Sequence, residues 1–307
     1  MKKLSVNNEK TAFIAIVGRP NVGKSSILNS LLGQKISIVS SKPQTTRTRI
    51  MGVLTEAETQ LVFIDTPGIH KPRTALGNYM IRSVNESVSG VDAAMLVTEA
   101  GKDISAAETE LIEKLKILDI PVVLAINKID LTSDKETIMR QILQYSKLFN
   151  FHAIVPISAQ TGNGIDALKK ELKSLAFEGN HLFESDTLTD QPERVIAAEI
   201  IREKILRLLD KEIPHGTAVV IEKMREREEG NITDIDATIY CERDTHKGII
   251  IGKNGSLLKK IGTYSRQDME KFFDCKINLK LWVKVREDWR NKEGLLRSFG
   301  YDKNDFS

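Results

Sequence analysis

Gly18-Arg19-Pro20-Asn21-Val22-Gly23-Lys24-Ser25 is a full G-x-x-x-x-G-K-S run, and it follows the apolar stretch 12–17. A loop between a buried strand and a helix can hold a nucleoside triphosphate with its backbone amides. Gly18 and Gly23 let the chain curl so that successive N–H groups face the phosphates. Lys24 brings a point charge to the β and γ oxygens, and Ser25 offers a hydroxyl to Mg²⁺. The expected phosphate contacts are Gly18, Asn21, Val22, Gly23, Lys24, Ser25 and Ser26. The competing reading, an accidental glycine-rich turn, is weakened by the strand that precedes the run.

Outward from this loop, residues 11 to 177 alternate apolar strands with amphipathic helices. Strands are expected at 12–17, 36–40, 60–65, 91–97, 121–126 and 152–157. Helices are expected at 23–33, 76–88, 103–118, 134–147 and 163–176. Pro121-Val122-Val123-Leu124-Ala125-Ile126 is apolar almost throughout, as in a parallel strand buried on both faces. The alternation implies an α/β domain with a doubly wound, mostly parallel sheet. Residues 178–192 break the rhythm with polar, turn-rich sequence and are taken as a linker; residues 1–10 form an N-terminal tail. The second half has a helix at 193–209, strands near 217–224 and 232–242, a glycine-punctuated turn at 248–255, a helix at 256–272 and a strand at 277–285. These place a smaller α+β domain at 193–286 and a C-terminal extension at 287–307.

The 307 residues suffice for two domains. At 41% hydrophobic and 28% charged the chain is ordinary globular protein, and a net charge of +3 leaves any basic partner surface local. Cys241 and Cys275 form no C-x-x-C, which fits a reducing cytoplasm and excludes a zinc ribbon. No signal peptide and no membrane span are expected, because no long uncharged apolar run occurs.

Further segments narrow the nucleotide. Asp65-Thr66-Pro67-Gly68 ends a strand: Asp65 can hold the Mg²⁺ shell, and the Gly68 amide can feel the γ-phosphate. Asn127-Lys128-Ile129-Asp130 follows the strand 121–126. The Asp130 carboxylate there can accept from the N1–H and 2-amino group of guanine, two donors that adenine lacks. Asn127 can bond the base or tie loops together, and the Lys128 stem can cover the ring. Ser158 and Ala159 close the next strand, where the Ala159 amide can meet guanine O6. These segments, in this order, resemble the boxes of translation-factor-class small GTPases. By that resemblance the second box is Pro43-Gln44-Thr45-Thr46-Arg47, with Thr46 reaching Mg²⁺ in the GTP state and Thr45 the alternative. The switch residues are then Gln44, Thr45, Thr46, Arg47, Asp65, Thr66, Pro67, Gly68 and Ile69. Ile69 stands where Ras-like enzymes carry a water-orienting glutamine, so slow intrinsic hydrolysis is expected. Asn21 resembles an asparagine that helps bind K⁺ in several relatives, which makes K⁺ a second candidate ion.

In the second half, Gly252-Lys253-Asn254-Gly255 is a G-x-x-G turn ahead of an amphipathic helix. Between 247 and 290, eleven lysines and arginines stand against five acids, so attraction for phosphate is concentrated here. The order helix, strand, strand, helix, GxxG, helix, strand resembles a KH domain of the type II arrangement, which clamps single-stranded RNA. Lys247, Gly248, Ile251, Gly252, Lys253, Asn254, Gly255 and Lys259 are the expected RNA contacts. Trp282 and Trp289 are read as structural, and the five histidines show no metal spacing. A P-loop GTPase domain followed by one KH domain resembles the bacterial Era GTPase family. The resemblance implies GTP and GDP as ligands, 16S ribosomal RNA near its 3′ end and the 30S subunit as partners, and a cytoplasmic monomer with peripheral membrane association. The rival reading is a regulatory GTPase whose C-terminal domain docks a protein or an anionic membrane surface.

Overall fold

A computed structural model describes residues 8–301 other than 41, 43, 69–73, 89 and 133. The expectations for Pro43, Ile69, the first seven residues and the last six lie outside the described residues. The chain divides into two compact units: 1–37, 46–71 and 80–190 form one, and 38–45, 72–79 and 191–307 form the other.

The first unit is built on β1 (Lys10–Gly18), α1 (Lys24–Leu32), β2 (Ile50–Glu56), β3 (Thr59–Asp65), β4 (Ala93–Glu99), α3 (Ala106–Leu118), β5 (Val122–Asn127), α4 (Lys135–Leu148), β6 (Ala153–Pro156), α5 (Ile165–Lys173) and β7 (Phe177–Glu178). A helix α2 (Ala75–Val88) precedes β4. The strand order is β2-β3-β1-β4-β5-β6, with β7 pairing antiparallel on the start of β1. From β3 to β6 neighbours run parallel, and only β2 on β3 is antiparallel at this edge. The direction of winding reverses around β1, so the carboxyl end of β1 is the switch point where a ligand site is expected. Both faces of the central strands are apolar because helices cover both; Ala15, Val17, Leu96 and Leu124 are fully buried beneath Leu111, Ile112 and Leu115 of α3. Each such valine, leucine or isoleucine side chain stabilises the fold by about 1.5–3 kcal/mol.

Three expectations for this unit need correction. Residues 36–40 are not a strand. Asn29 takes their backbone instead: its Oδ1 accepts from Ile36 N at 3.0 Å and Ser37 N at 2.9 Å, and its Nδ2 donates to Ser37 O at 2.7 Å. The strand at this edge is β2, at 50–56. The linker 178–192 is no free tether up to Asp190. Gln60 accepts from Leu182 N and Phe183 N, and Val53 N donates to Leu188 O at 2.9 Å, which lays the segment along the β2–β3 edge. Lys10, placed in the tail, already belongs to β1.

The second unit carries α6 (Glu193–Leu208), β8 (Ala218–Glu226), β9 (Ile232–Cys241), α7 (Asp244–Ile251), α8 (Ser256–Phe273), β10 (Lys276–Val285) and α9 (Glu293–Ser298). Its sheet has the order β10-β9-β8, parallel between β10 and β9 and antiparallel between β9 and β8. Ile201, Ile205, Ile235, Ala237, Ile239, Ile261 and Met269 fill the space between sheet and helices. The turn expected at 248–255 is shorter than its glycines suggest, because α7 runs to Ile251. Trp289 is fully buried and donates Nε1–H to Gly216 O at 2.9 Å, while Phe299 stacks on Tyr240 at 4.6 Å between ring centres. Trp282 departs from the core role expected of it. It is 44% exposed, because on β10 it alternates with the core residues Leu281 and Val283.

Candidate nucleotide and RNA sites

The phosphate loop forms because β1 ends at Gly18 and α1 begins at Lys24. Gly23 holds φ 101° at the helix start, and a Cβ there would sit 2.2 Å from Asn127 Nδ2. Asn21 is exposed and left-handed, with φ 65°. Lys24 curls back over the loop, donating to Gly18 O at 3.1 Å and Arg19 O at 3.0 Å. Burial lowers its pKa to about 8, against the pull of Asp65. Arg19 pairs with the buried Glu108 of α3 at 3.1 Å, which ties the loop to that helix.

Ser25, Thr46 and Asp65 come together. Ser25 Oγ donates to Asp65 Oδ2 at 2.7 Å and lies 2.9 Å from Thr46 Oγ1. Since Ser25 has one proton to give, Thr46 must be the donor to Ser25. The neighbouring Thr45 hydroxyl donates elsewhere, to Lys42 O at 2.6 Å. Ser37, which sequence reasoning missed, also donates to Asp65 Oδ2, at 3.0 Å. Asp65 Oδ1 is buried without a hydrogen-bond partner. Burial raises the Asp65 pKa, opposed by Lys24, Ser25, Ser37 and the Thr66 backbone. An orphaned carboxylate oxygen beside two hydroxyls suits a hard divalent cation that takes oxygen ligands and keeps phosphate and water as the rest. Gly68 lies against the phosphate loop: a Cβ on it would fall 2.6 Å from Pro20 Cα. Thr66 donates to Ile16 O at 2.8 Å. Arg47 is buried, and Gln44 has φ 58°.

At the base end, Asn127 ties loops. Its Nδ2 donates to Val22 O at 2.8 Å, and its Oδ1 accepts from Ala159 N at 3.0 Å. The Ala159 amide, expected to meet guanine O6, is met by Asn127 in this structure. Ile129 N donates to Ile157 O at 3.2 Å and joins the two loops. Asp130 is exposed on the 3-10 turn Ile129–Leu131. Lys128, at φ 67°, pairs with Glu99 at 2.7 Å, a partner that only the β4–β5 pairing could have revealed. Ser158 is buried and accepts from Thr161 N at 3.2 Å.

In the second unit, Gly252 (φ 73°), Asn254 (φ 51°) and Gly255 (φ 76°) make the turn between α7 and α8. Lys253, Asn254 and Lys259 are exposed, as is Gly248, while Lys247 and Ile251 are half-buried on α7. A groove of about 410 Å³ opens beside the turn, bounded by Gly255, Leu258, Lys259, Arg266 and Leu281 among others. Arg266 and the β10 residues were not expected there. Periodicity from Gly255 along α8 would have found Arg266; the β10 side needed the fold.

Among the described residues no helix is long and apolar enough to cross a membrane, and no cluster of three metal-ligating His, Cys, Asp or Glu side chains occurs.

Residues 13–128 match the family model of a 50S ribosome-binding GTPase, and residues 212–290 match that of a KH domain. GTPase Era of Ruminiclostridium cellulolyticum is 52% identical over 96% of this chain and 98% of its own length. GTPase Era of Clostridioides difficile is 49% identical over 95% and 99%. Two crystal structures superpose with TM-scores of 0.92 at 39% identity, each over 95% of this chain and 99% of theirs. One is an Aquifex aeolicus Era variant bound to GDP and AlF4⁻; the other is an Era in complex with MgGDPNP and nucleotides 1506–1542 of 16S ribosomal RNA. With half its residues shared with such relatives across nearly its full length, the chain belongs to the Era family of GTPases.

Proposed function

We propose that the chain is a slow GTPase that binds the 3′ region of 16S ribosomal RNA and serves 30S subunit assembly. One observation carries the RNA half: the Gly252–Gly255 turn opens on a groove edged by Lys259 and Arg266, in a chain 39% identical to an Era crystallised on nucleotides 1506–1542. Backbone at that turn can approach a phosphodiester, and the start of α8 favours anions.

In the nucleotide site, Gly18, Asn21, Val22, Gly23, Lys24, Ser25 and Ser26 cradle the phosphates, and Gly68 meets the γ-phosphate. Ser25, Thr46 and Asp65 hold Mg²⁺ directly or through its water. The ion supplies positive charge that neutralises the phosphate oxygens during transfer. Asp130 accepts from guanine, while Asn127, Lys128 and Ser158 hold the base loops in place. K⁺ at Asn21 belongs to the same reading, and equal turnover in Na⁺ and K⁺ buffers would remove it. The protein is read as a cytoplasmic monomer whose two cysteines, one buried and one half-buried, stay free. The basic face of the second unit would also attract anionic lipid, which accounts for peripheral membrane association.

The test is crosslinking of the full chain to a 16S 3′-end fragment. Crosslinks at 248–260 that vanish in Gly252→Val support the reading, since a Cβ at 252 would lie 2.8 Å from Leu257 Cβ at a left-handed φ. No crosslinks there, with retained binding to anionic vesicles, would favour the membrane-docking GTPase instead.

A further inference from the structure

Asp65 is fully buried, and its two carboxylate oxygens have unlike surroundings. Oδ2 accepts from Ser25 Oγ at 2.7 Å and from Ser37 Oγ at 3.0 Å. Oδ1 is buried without a hydrogen-bond partner. The two donors come from different places: Ser25 stands in the first turn of α1, and Ser37 in the irregular stretch that follows this helix. Ser37 is itself held. Asn29 Oδ1 accepts from Ser37 N at 2.9 Å, and Asn29 Nδ2 donates to Ser37 O at 2.7 Å. Asn29 lies four residues after Ser25 on α1, so the two share one face of the helix. Ser25, Asn29, Ser37 and Asp65 all belong to the first unit.

The terminal torsion of an aspartate is broad and roughly two-fold, so a carboxylate held by one hydrogen bond can swivel or exchange its oxygens. Two donors on one oxygen, both fastened to α1, remove that freedom. Ser25 alone cannot be the anchor. Its hydroxyl accepts from Thr46 at 2.9 Å here and is itself a candidate for the cation, so its surroundings change when the ion arrives. Ser37 has no such second duty: it is 1% exposed and its one hydroxyl proton goes to Asp65. Packing alone does not ask for a hydroxyl at this depth. Alanine would fill the place without a polar atom to satisfy.

We propose that Ser37 is a positioning residue for the divalent cation. Fastened to α1 through Asn29, it holds Asp65 Oδ2 so that Oδ1 stays available to the ion or its water. Ser37 acts through Asp65 and does not itself bind the cation. This rests on the reading of Asp65 as a holder of the cation. Removing a hydrogen-bond partner of a metal-binding side chain typically lowers metal affinity about 10- to 100-fold. The effect of Ser37 therefore falls on the metal, and not on the nucleotide when the metal is withdrawn.

The experiment measures Mn²⁺ binding to the GDP-loaded full chain by the paramagnetic resonance of the free ion, with Mg²⁺ as competitor. GDP affinity in EDTA and thermal melts are measured alongside. The variants are Ser37→Ala, Ser37→Cys, Asp65→Asn and Ser37→Ala combined with Asp65→Asn. Ser37→Ala is expected to weaken Mn²⁺ about tenfold, with GDP affinity in EDTA within about twofold of the parent. Asp65→Asn should weaken Mn²⁺ at least as much. Adding Ser37→Ala to it should cost less than about twofold more, because both act through one side chain. If Ser37→Ala does not fold, Ser37→Cys carries the same test, since a thiol is only a weak donor. Equal loss of Mn²⁺ affinity and metal-free GDP affinity would make Ser37 merely structural and overturn the proposal, as would full additivity in the combined variant. Weakened Mn²⁺ in Asp65→Asn with unchanged Mn²⁺ in both Ser37 variants would overturn it while sparing the reading of Asp65. Unchanged Mn²⁺ in Asp65→Asn would overturn both.

Discussion

Replacing Gly23 with alanine tests whether the phosphate loop is shaped by the base loop. Gly23 sits at φ 101°, where an L side chain is strained, and its Cβ would fall 2.2 Å from Asn127 Nδ2. Left-handed backbone costs a non-glycine residue about 1–2 kcal/mol. Asn127 must also swing away and give up its bond to Val22 O at 2.8 Å, a further loss of about 0.5–1.5 kcal/mol. The total of about 1.5–3.5 kcal/mol corresponds to roughly 10- to 300-fold weaker guanine-nucleotide binding. Gly33→Ala is the control. It has φ 69° but nothing within 4 Å of its Cβ, and it lies at the far end of α1. Gly33→Ala should therefore lower the melting temperature yet hold GDP affinity within twofold. Equilibrium titration with fluorescent GDP, with melting curves for both variants, separates the two effects. Folded Gly23→Ala protein that binds GDP within threefold of the parent would refute the brace between Asn127 and the loop.

Other outcomes follow from the same geometry. Lys24, with its pKa lowered to about 8 by burial, loses its proton as pH rises through that value, and bound phosphate should restore it. Calorimetry in buffers of differing ionisation enthalpy should then show proton uptake near zero at pH 7 and about three quarters of a proton at pH 8.5, with GDP affinity falling about fourfold; pH-independent uptake would contradict this. Asp130→Asn should favour xanthine over guanine nucleotides in competition binding, and unchanged GTP affinity would discard the base-recognition argument. Trp289→Ala should destabilise the second unit by about 3–5 kcal/mol in denaturant unfolding while leaving GDP affinity intact.

Much of the first unit was legible because its signals are local. A glycine-rich loop after an apolar strand, and boxes at successive strand ends, need no tertiary knowledge. Residues 36–40 misled because Ile36, Ile38 and Val39 carry the β-branched pattern of a strand. Their backbone groups are met by the Asn29 side chain and by Glu203, and no local signal announces a side chain standing in for a ladder. The true edge strand β2 hid because its turn to β3 uses Ala57 at φ 53° and Glu58, with no glycine, asparagine or proline to mark it. The candidate site was legible to the same extent. Lys24, Ser25, Asp65 and Asn127 came from motifs, whereas Ser37 and Glu99 are named only by what folds against them.

The committed hydrogen bonds of the phosphate end also explain why slow turnover is the natural expectation. The Asp65 carboxylate accepts hydrogen bonds from Ser25 and Ser37 on Oδ2, and its other oxygen, Oδ1, is the one that suits a cation. The Thr66 hydroxyl is spent on Ile16 O, and the Thr46 hydroxyl on Ser25. Each group is arranged to hold a cation or a loop. Phosphoryl transfer depends on positioning and charge more than on proton abstraction, so such a site can still hydrolyse GTP.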